Sequence, residues 1–584
     1  MSVRLFLLPA AVLLANAAAA QTPCSSVPVY SRCELLFELN PAERQTHPNP
    51  YFTATLQVEF RSPRHRTQLM PAFWNGEGKL MVRFAPMDPG DWEYKITSNI
   101  RRFEGQQGKF VATEAEARGF VIPANGHHWR YTEGRAAHLW MGDTRLDLGS
   151  VDDAQFRAYV DGRAAEKFNH IRGYAGGNWR DASMPDLAFY NRLDERAAYL
   201  NSKGITIDMV LGGADGELAK RLPMAVQRER FIRYLIARYS AFDITWQLLE
   251  NFESYTGGRE LAKQMGLFLK NNDPYRHPRS THASATASSL LPDGWLDHIV
   301  YGSADDALAA VEHQIYPLPG VNTGLGTTKA SPAEFRRRLW TSFVNGQYPS
   351  GDGSLDSAAA KAMTVWYDLV HGTRHWELEP YFELDGGRAI ALPETEYIVY
   401  VEKPSAPIEV RVEKHEYDVK WIDPATGETV PLKQFKSDKF TGEAPSRDHD
   451  WVLHISREGH KEGMLRSWKF ESRPFLVQEV ESAPTKVPFE IAEPKADEIS
   501  LSKPPAFAAK LKRETRGTRT MLYLWTGDMP IEAQGMRVIG TGSSGTWDLK
   551  SNAFRAPGVM NIRVYGMNAN GKVYFADKIV RTIP

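Results

Sequence analysis

The chain has 584 residues, of which 42% are hydrophobic and 24% charged, and its formal net charge is -1 at pH 7. This length suffices for roughly three or four domains, each able to bury its own core. The 70 basic and 71 acidic residues nearly cancel, and neither sign is concentrated in a long block. The composition therefore argues against nucleic acid or an anionic membrane surface as a partner.

The first 20 residues have the pattern of a secretory signal peptide. A short start with Arg4 precedes an apolar run from Leu5 to Leu14 and a small-residue stretch that ends at Ala20. The segment is too short to span a membrane, and no later run reaches the length of a transmembrane helix. We expect cleavage after Ala20 and a secreted or periplasmic location.

The chain contains two cysteines, Cys24 and Cys33, nine residues apart and just past the predicted cleavage site. An oxidising compartment favours a local disulfide that pins the N-terminal strand. Two cysteines cannot form a four-cysteine zinc site.

Residues 21–122 alternate apolar and polar side chains in the manner of β-strands, as in Thr53–Phe60. Turn signals such as Asn75–Gly78 and Asp88–Gly90 separate these runs. The pattern predicts an antiparallel β-sandwich that packs against the rest of the protein or positions a substrate.

From about residue 137 to 380, within a predicted barrel domain over 123–384, short apolar strands alternate with amphipathic helices, which is typical of parallel β/α units. About 240 residues with eight such units predict a (β/α)8 TIM barrel. A doubly wound open sheet is the alternative, but no glycine-rich fingerprint follows the first strand. The predicted strands are 138–142, 168–173, 205–211, 244–249, 279–284, 298–302, 320–323 and one near 347–348, and predicted helices include 155–167, 187–203, 226–240, 259–270, 332–345 and 357–371.

Strand patterns return after residue 385. We predict a second β-sandwich over 385–480, a linker rich in Pro, Lys and Glu over 481–506, and a final β-rich domain over 507–584. The predicted fold is a TIM barrel flanked by β-sandwich domains.

The segment Ile244–Glu253 carries the clearest candidate for chemistry. An apolar strand ends abruptly in Glu250, Asn251 and, shortly after, Glu253. In a (β/α)8 barrel the catalytic groups lie where strands end, so this pattern indicates an acid/base site. The alternative is a solvated loop whose acids cap the next helix.

Several motifs, in this order, resemble those of apiosidase-like (β/α)8 glycoside hydrolases with an N-terminal Ig-like domain and a C-terminal candidate collagen-binding domain. The resemblance covers roughly residues 27–480, and its specificity lies in the combination of motifs. They are residues 73–78, 82–86 and 90–94 in the Ig-like region, 142–144, 163–173 and 246–250 in the barrel, and 421–427 and 450–453 after it.

The resemblance implies hydrolysis of a glycosidic bond in a plant or microbial polysaccharide by two carboxylates. Glu250 matches the acid at the end of the fourth strand, and Glu253 is a nearby substitute. The second carboxylate would be a nucleophile at about 5 Å, or a base at about 6.5 to 9.5 Å that leaves room for water.

The sequence departs from the family at the seventh strand, where relatives carry an Asn-Thr-Glu-like motif and this chain has Gly324. It also has Glu250-Asn251 where many sugar-cleaving barrels carry Asn-Glu. The second carboxylate could come from another strand end, and the candidates are Asp143, Asp208, Asp215 and the pair Asp305 and Asp306. Alternatively, the barrel has lost its chemistry and only binds carbohydrate, as a binding or cell-surface adhesion protein.

Five further residues are candidates for substrate binding. Arg172 would hold a catalytic carboxylate ionised, although an arginine at a strand end can also pair with a neighbouring loop acid. His282 and Asn251 would bind sugar hydroxyls, and Trp179 and Tyr316 would stack on sugar rings; each could instead be a core residue.

The sequence predicts no cofactor and no metal site. His127 and His128 are adjacent instead of being spaced along a helix, and His415-Glu416 lacks the second histidine of a zinc protease. We therefore expect a secreted glycoside hydrolase that acts on a polysaccharide or oligosaccharide, with the non-catalytic carbohydrate-binding protein as the alternative.

Overall fold

The structure is a computed structural model of the whole chain, and it describes residues 24–457 apart from 135, 178–183 and 327–329. Beyond 457 it describes 480, 482, 487, 489–500, 502, 507–511, 521–527, 537–543, 546–547 and 558–584. The predicted signal peptide, residues 1–20, and Trp179 lie outside the described residues. Within them, every helix is too short or too polar to cross a membrane.

The N-terminal region consists of two β-sheets around one core, as the alternating pattern predicts. One sheet has the order β1-β8-β7-β3-β4 and the other β2-β6-β5. Cys24 and Cys33 form the expected disulfide at the start of this region. The elements are β1 Ser26–Pro28, β2 Cys33–Glu38, α1 Pro41–Thr46, α2 Pro50–Thr53, β3 Leu56–Arg61, β4 Thr67–Pro71, β5 Phe73–Trp74, β6 Lys79–Phe84, β7 Gly90–Ser98 and β8 Gln107–Thr113.

Aromatic side chains fill the space between these two sheets. The rings of Phe60 and Phe84 stack with centroids 3.9 Å apart, and Trp92 lies parallel to Phe110 at 6.0 Å. All four are almost completely buried. Burial of such large apolar groups is the main stabilising contribution to this domain.

A small antiparallel sheet connects the N-terminal region to the barrel. Its strands are β9 Val121–Ala124, β10 His128–Tyr131 and β11 Ala137–His138. Trp129 packs against Trp140 and His298, which lie just before the first and sixth barrel strands, with ring centroids 4.7 and 5.2 Å away. The sheet therefore covers the end of the barrel at which the strands begin.

Among the described residues, eight parallel strands form the central TIM-barrel-like domain. They are β12 Gly142–Thr144, β13 His170–Tyr174, β14 Thr206–Gly212, β15 Ile244–Leu249, β16 Arg279–Ser280, β17 Ile299–Tyr301, β18 Gly320–Asn322 and β19 Gln347–Pro349. A parallel bridge between Gly142 and Ser350 joins the last strand to the first. β16 and β17 are joined by two hydrogen bonds: the Asp297 N–H donates to the Arg279 carbonyl at 2.9 Å, and the Ser280 hydroxyl donates to the His298 carbonyl at 2.7 Å.

The first barrel strand was predicted over 138–142, but it begins only at Gly142. His138 pairs with Trp129 of the small antiparallel sheet instead, so the start of the apolar run belongs to that sheet and not to the barrel. The fully buried strands β14 and β15 were predicted closely, because strands covered on both faces are almost continuously apolar.

Five of the eight barrel helices in the described residues begin at a side-chain cap. Asp152, Asp186, Asp305, Ser331 and Asp356 each accept a hydrogen bond from a backbone N–H in the first turn of the following helix. The helices are α3 Asp153–Ala165, α4 Leu187–Ser202, α5 Glu217–Arg221, α6 Ala225–Tyr239, α7 Gly258–Asn272, α8 Asp306–Ile315, α9 Pro332–Val344 and α10 Ser357–His371.

A β-domain follows the barrel. Its long strand β24 pairs with β26 over its first part and with β27 over its last, so it belongs to both halves of the domain. Tyr397, Trp421 and Leu453 are buried in the core. The strands are β20 Glu379–Tyr381, β21 Leu384–Asp385, β22 Arg388–Leu392, β23 Glu396–Val401, β24 Ile408–Ile422, β25 Thr429–Pro431, β26 Phe435–Gly442 and β27 Trp451–Ser456.

The final β-rich region packs on α8 of the barrel, where Tyr565 and Val573 share a core with Leu308 and Val311. The segment predicted as a linker over 481–506 contains two strands, because the apolar alternation Phe489, Ile491 outweighs its charged composition. The strands are β28 Phe489–Glu493, β29 Glu498–Ser500, β30 Phe507–Leu511, β31 Met521–Gly527, β32 Arg537–Ser543, β33 Thr546–Trp547, β34 Gly558–Met567 and β35 Val573–Ile583.

A buried charge network joins the N-terminal domain to the barrel. Asp194 of α4 accepts hydrogen bonds from Arg83 of β6 and Arg238 of α6, both at 2.9 Å. Glu34 of β2 is a second partner of Arg83 at 2.7 Å. Burial opposes the charged form of Asp194, yet the guanidinium groups of Arg238 and Arg83 hold its pKa below the usual value.

We predict that Asp194→Asn lowers the free energy of unfolding by about 3 to 5 kcal/mol, because the buried guanidinium of Arg238 loses its counter-charge and Arg83 loses one of its two. Urea denaturation followed by tryptophan fluorescence measures the change. Glu93→Gln is the matched control, since Glu93 pairs with Lys109 on the exposed surface and should shift the midpoint little. Equal shifts for both variants would contradict the prediction.

Glu312 of α8 is fully buried beneath the final β-region and accepts hydrogen bonds from the hydroxyls of Thr286 and Ser288, both at 2.8 Å. Burial raises the pKa of this carboxyl to about 7. Since the folded-state pKa lies above that of the unfolded chain, this group's contribution to stability is complete below pH 4.5. It is lost as the pH rises through about 7.

Glu312→Gln should therefore flatten the pH dependence of stability. Between pH 4 and pH 8, the free energy of unfolding of the variant should rise by on the order of 3 kcal/mol relative to that of the native chain, because the amide has no charge to bury. Urea denaturation of both proteins at several pH values measures this difference. Two parallel stability curves would contradict the assignment.

Candidate active site

Glu250 lies directly after β15, at the end of the barrel where the strands finish. Its backbone N–H donates to the Gly212 carbonyl at 2.7 Å, which fixes the residue beside the end of β14. The side chain is 15% exposed, so the carboxylate faces the rim of the barrel with access to solvent. This is the position at which barrel enzymes present catalytic groups.

The Arg172 guanidinium of β13 donates a hydrogen bond from Nη2 to Oε2 of Glu250. Arg172 is 3% exposed, and burial lowers its pKa to about 10, so the group remains charged at neutral pH. A guanidinium in contact with a carboxylate favours the ionised form of the carboxylate. The structure thus brings together two of the residues that the sequence analysis singled out.

His282 completes the immediate surroundings of Glu250. Its Nδ1 lies 3.9 Å from Oε1 of Glu250, and burial together with the charge of Arg172 lowers the pKa of the imidazole to about 3. The ring is therefore neutral at physiological pH. A neutral imidazole can donate or accept a hydrogen bond, depending on its tautomer, but at neutral pH it carries no imidazolium proton for general acid catalysis.

Three buried polar atoms on these residues lack a hydrogen-bond partner within the described part of the chain. They are Arg172 Nε, Asn251 Oδ1 and His282 Nδ1. Asn251 also adopts a left-handed backbone conformation, with φ of 57°. Buried polar groups are normally paired, and a polar ligand such as a sugar hydroxyl would satisfy these atoms.

Glu253 lies on the short 3-10 turn that follows Asn251. Its two carboxylate oxygens each lie 3.2 Å from the backbone N–H of Ser284, which follows β16. This contact ties the loop after the fourth strand to the loop after the fifth. Glu253 is thus anchored at the same end of the barrel as Glu250.

Asp143, at the first strand, is surrounded by partners. Its carboxylate accepts hydrogen bonds from Arg163 Nε at 2.8 Å, Tyr159 OH at 2.9 Å and the backbone N–H of Thr144 at 2.8 Å. It is 1% exposed, and burial raises its pKa. These contacts fasten α3 to the first strand and favour an anchoring role over a catalytic one.

Asp208 takes part in a chain of contacts inside the barrel. It accepts hydrogen bonds from Thr245 Oγ1 at 2.7 Å and from His170 Nδ1 at 3.0 Å, and His170 Nε2 lies 2.8 Å from His138 Nε2. This network was not predicted from the sequence. The signal was present, since His170 and Arg172 occupy alternate positions of one buried strand and so share a face.

The remaining acid candidates serve local structure. Asp215 accepts a hydrogen bond from the backbone N–H of Glu217 at 3.0 Å at the start of α5. Asp305 caps α8 through the N–H of Leu308 at 2.9 Å, and Asp306 pairs with Arg388 at 3.1 Å.

Gly324 follows β18, at the position where the family resemblance leads us to expect a second acid. A Cβ added there would lie 2.6 Å from the carbonyl oxygen of Gly302 and 2.7 Å from its carbonyl carbon. Real Cβ atoms essentially never approach a backbone atom so closely. The neighbouring sixth-strand loop therefore occupies the space that a side chain at this position would need.

Tyr316 lies away from Glu250. Its backbone carbonyl accepts a hydrogen bond from His127 Nε2 at 3.0 Å at the end of the barrel where the strands begin. A separate cleft, lined by Tyr51, Trp74 and Arg230, lies at the seam between the N-terminal domain and α6. This cleft does not include Glu250. The candidate site lies at the rim of the barrel, because Glu250, Arg172 and His282 meet there.

Comparison with known proteins supports a glycoside-hydrolase-like fold. Residues 26–99 match a family model described as a domain of unknown function, DUF5060. No curated protein matches the chain in sequence.

Solved structures are similar over larger parts of the chain. A candidate glycoside hydrolase from Bacteroides vulgatus ATCC 8482 has a TM-score of 0.64 and 18% identity, covering 74% of this chain and 99% of that one. A family 5 glycoside hydrolase from the same organism has a TM-score of 0.51 and 14% identity, covering 59% and 94%. At these identities the likeness shows the fold, a TIM-barrel-like domain with sheet-rich domains.

We predict that Gly324→Ala destabilises the protein by about 1 to 3 kcal/mol, because the methyl group collides with the backbone of Gly302. Gly162→Ala is the control: Gly162 lies on the exposed face of α3 with nothing within 4 Å of the added Cβ. That change should stabilise by about 0.5 to 1 kcal/mol. Thermal unfolding measures both, and a neutral Gly324→Ala variant would contradict the close approach.

Proposed function

We propose that this protein is an exported glycoside hydrolase that cleaves glycosidic bonds in a plant or microbial polysaccharide, with Glu250 as a catalytic carboxylate. The observation that carries the proposal is the contact between Glu250 and Arg172 at the rim of the barrel. The glycoside-hydrolase-like fold supports this proposal.

The polar surroundings of Glu250 suit a carbohydrate. The unpaired atoms of Arg172, Asn251 and His282 offer both hydrogen-bond donors and acceptors next to the carboxylate. A sugar ring presents hydroxyls that both donate and accept, so it can pair with all three residues at once. Ligand sites of this kind use a few well-placed polar groups to fix orientation.

The guanidinium contact bears on the role of Glu250. A general acid must carry a proton before the reaction, whereas Arg172 favours the ionised carboxylate. Glu250 is therefore better suited to act as the nucleophile, or as the base that activates a water molecule. This refines the role as fourth-strand acid that the family resemblance implies.

Glu253 is the proposed proton donor to the leaving oxygen. It lies on the same loop as Glu250, and its carboxylate oxygens lie 3.2 Å from the backbone N–H of Ser284 at the same rim of the barrel. The N-terminal signal-like segment supports an exported enzyme that meets its polymer outside the cytoplasm.

A second candidate function is carbohydrate binding without cleavage. The close approach of Gly302 to Gly324 favours it, because the seventh-strand position cannot supply a carboxylate without a backbone shift. In that case the same polar atoms would recognise a glycan, and the loss of the acid would leave the chemistry incomplete.

The test compares the purified chain with its Glu250→Gln form on a panel of plant and microbial polysaccharides and aryl glycosides. We expect product release by the native chain and a reduction of kcat by about 10²- to 10⁴-fold in the variant, with polymer binding retained. Reducing-end release and affinity electrophoresis measure the two quantities.

Glu195→Gln is the control, because Glu195 is exposed on α4 and the change is chemically the same. It should leave both cleavage and binding unchanged. Polymer binding without any cleavage by the native chain would favour the second candidate function. Cleavage that persists undiminished in Glu250→Gln would overturn the role of Glu250.

A further inference from the structure

We propose that His127, His313 and Glu379 form a binding site for a divalent transition-metal ion such as Zn²⁺, at the end of the barrel where the strands begin. This site is independent of Glu250, which lies at the opposite end of the strands. The ligand atoms of the three residues all lie within 4.8 Å of one another.

Three separate parts of the fold bring these ligands together. His127 immediately precedes β10 of the small antiparallel sheet, His313 lies in the last turn of α8, and Glu379 begins β20 of the following β-domain. His127 is 252 residues from Glu379 in the chain. In the sequence, the adjacency of His127 and His128 argued against a metal site. The other two ligands, His313 and Glu379, come close to His127 only in the tertiary fold, so no pattern in the sequence indicates them.

The hydrogen bonding of His127 prepares one nitrogen for a metal. Its Nε2 donates to the backbone carbonyl of Tyr316 at 3.0 Å, so in the neutral ring Nδ1 carries a lone pair. That lone pair points at both oxygens of Glu379 from 3.2 Å. A metal ion between Nδ1 and the carboxylate would satisfy both groups, whereas without one a proton on Nδ1 would make the contact an imidazolium–carboxylate pair.

This pairing is the usual support of a metal-bound histidine. A ligating imidazole almost always donates its other N–H to a backbone carbonyl or a carboxylate, which fixes the tautomer and the orientation of the ring. The contact with Tyr316 meets that requirement. The His127 ring also lies against the ring of His313, with centroids 3.6 Å apart, which holds both imidazoles in place.

The distances suit a small ion. In a tetrahedral zinc site with bonds of about 2.0 to 2.1 Å, neighbouring ligand atoms lie about 3.3 Å apart. His127 Nδ1 is 3.2 Å from Glu379, while His313 Nε2 is 2.6 Å from it, a hydrogen-bond distance that would open slightly around an ion. Two imidazoles and one carboxylate favour Zn²⁺ over Ca²⁺ or Mg²⁺, which prefer oxygen ligands.

His128 approaches the carboxylate from a second direction. Its Nε2 lies 3.3 Å from Glu379 Oε1, and its Nδ1 is 2.8 Å from the hydroxyl of Tyr348. Glu379 is 35% exposed, whereas the histidines are buried, so an ion can enter from the side of the carboxylate. The bound ion would tie the small sheet, α8 and the β-domain together.

The test measures metal binding by the purified chain after treatment with a chelator and dialysis. We expect one Zn²⁺ per chain by isothermal titration calorimetry, and with Co²⁺ the intense visible absorption of a four-coordinate site. Zn²⁺ should also raise the melting temperature, because it binds only the folded arrangement. His313→Gln and Glu379→Gln should each weaken binding at least tenfold.

His65→Asn is the control, because His65 is an exposed histidine with φ of 60°, a conformation that asparagine tolerates. It should bind one ion with unchanged affinity. Circular dichroism checks that the site variants are folded. If they are not, Zn²⁺ binding by the native chain alone tests the proposal. Absence of stoichiometric binding by the native chain, or unchanged binding in folded site variants, would overturn the proposal and leave a buried ion pair.

Discussion

The buried contact between Arg172 and Glu250 is the interaction on which the functional account depends. A guanidinium that is 3% exposed requires a counter-charge, and Glu250 provides it at the rim of the barrel. The same contact favours the ionised form of the carboxylate at the rim of the barrel. Stability and proposed chemistry therefore rest on one pair of side chains.

The remainder of the barrel holds this pair in position. Parallel pairing sets Arg172 beside Asp208 and Asp208 beside Thr245, so the strand register determines which side chains share a layer. Asp208 is already occupied by Thr245 and His170, which leaves Glu250 as the carboxylate in contact with Arg172. At the first strand, Asp143 is similarly occupied by Arg163 and Tyr159.

Local pattern was enough to predict much of the fold. The apolar runs of β14 and β15 and the caps of α4 and α9 depend on neighbouring residues, and the corresponding segments were predicted within a few residues. The predicted start of the first barrel strand was wrong, because His138 pairs with Trp129 of the small antiparallel sheet. The residues around His138 do not indicate that pairing. The two strands within 481–506 were missed because composition outweighed a short alternation.

The candidate site was predictable in part for the same reason. Glu250, Arg172 and His282 all lie at or just past strand ends, and the ends of parallel strands meet at one rim. The placement of Tyr316 at the other end, and the convergence of His127 with His313 and Glu379, depend on packing between distant segments. Such contacts have no periodic signature in a single sequence.

The most direct measurement is chemical rescue of a Glu250→Ala variant by sodium azide on a substrate that the native chain cleaves. If Glu250 is the attacking carboxylate, cleavage should fall sharply in the variant and return with azide, which takes its place at the sugar and appears in the product as a glycosyl azide. Cleavage by the variant at the native rate without azide would contradict the account.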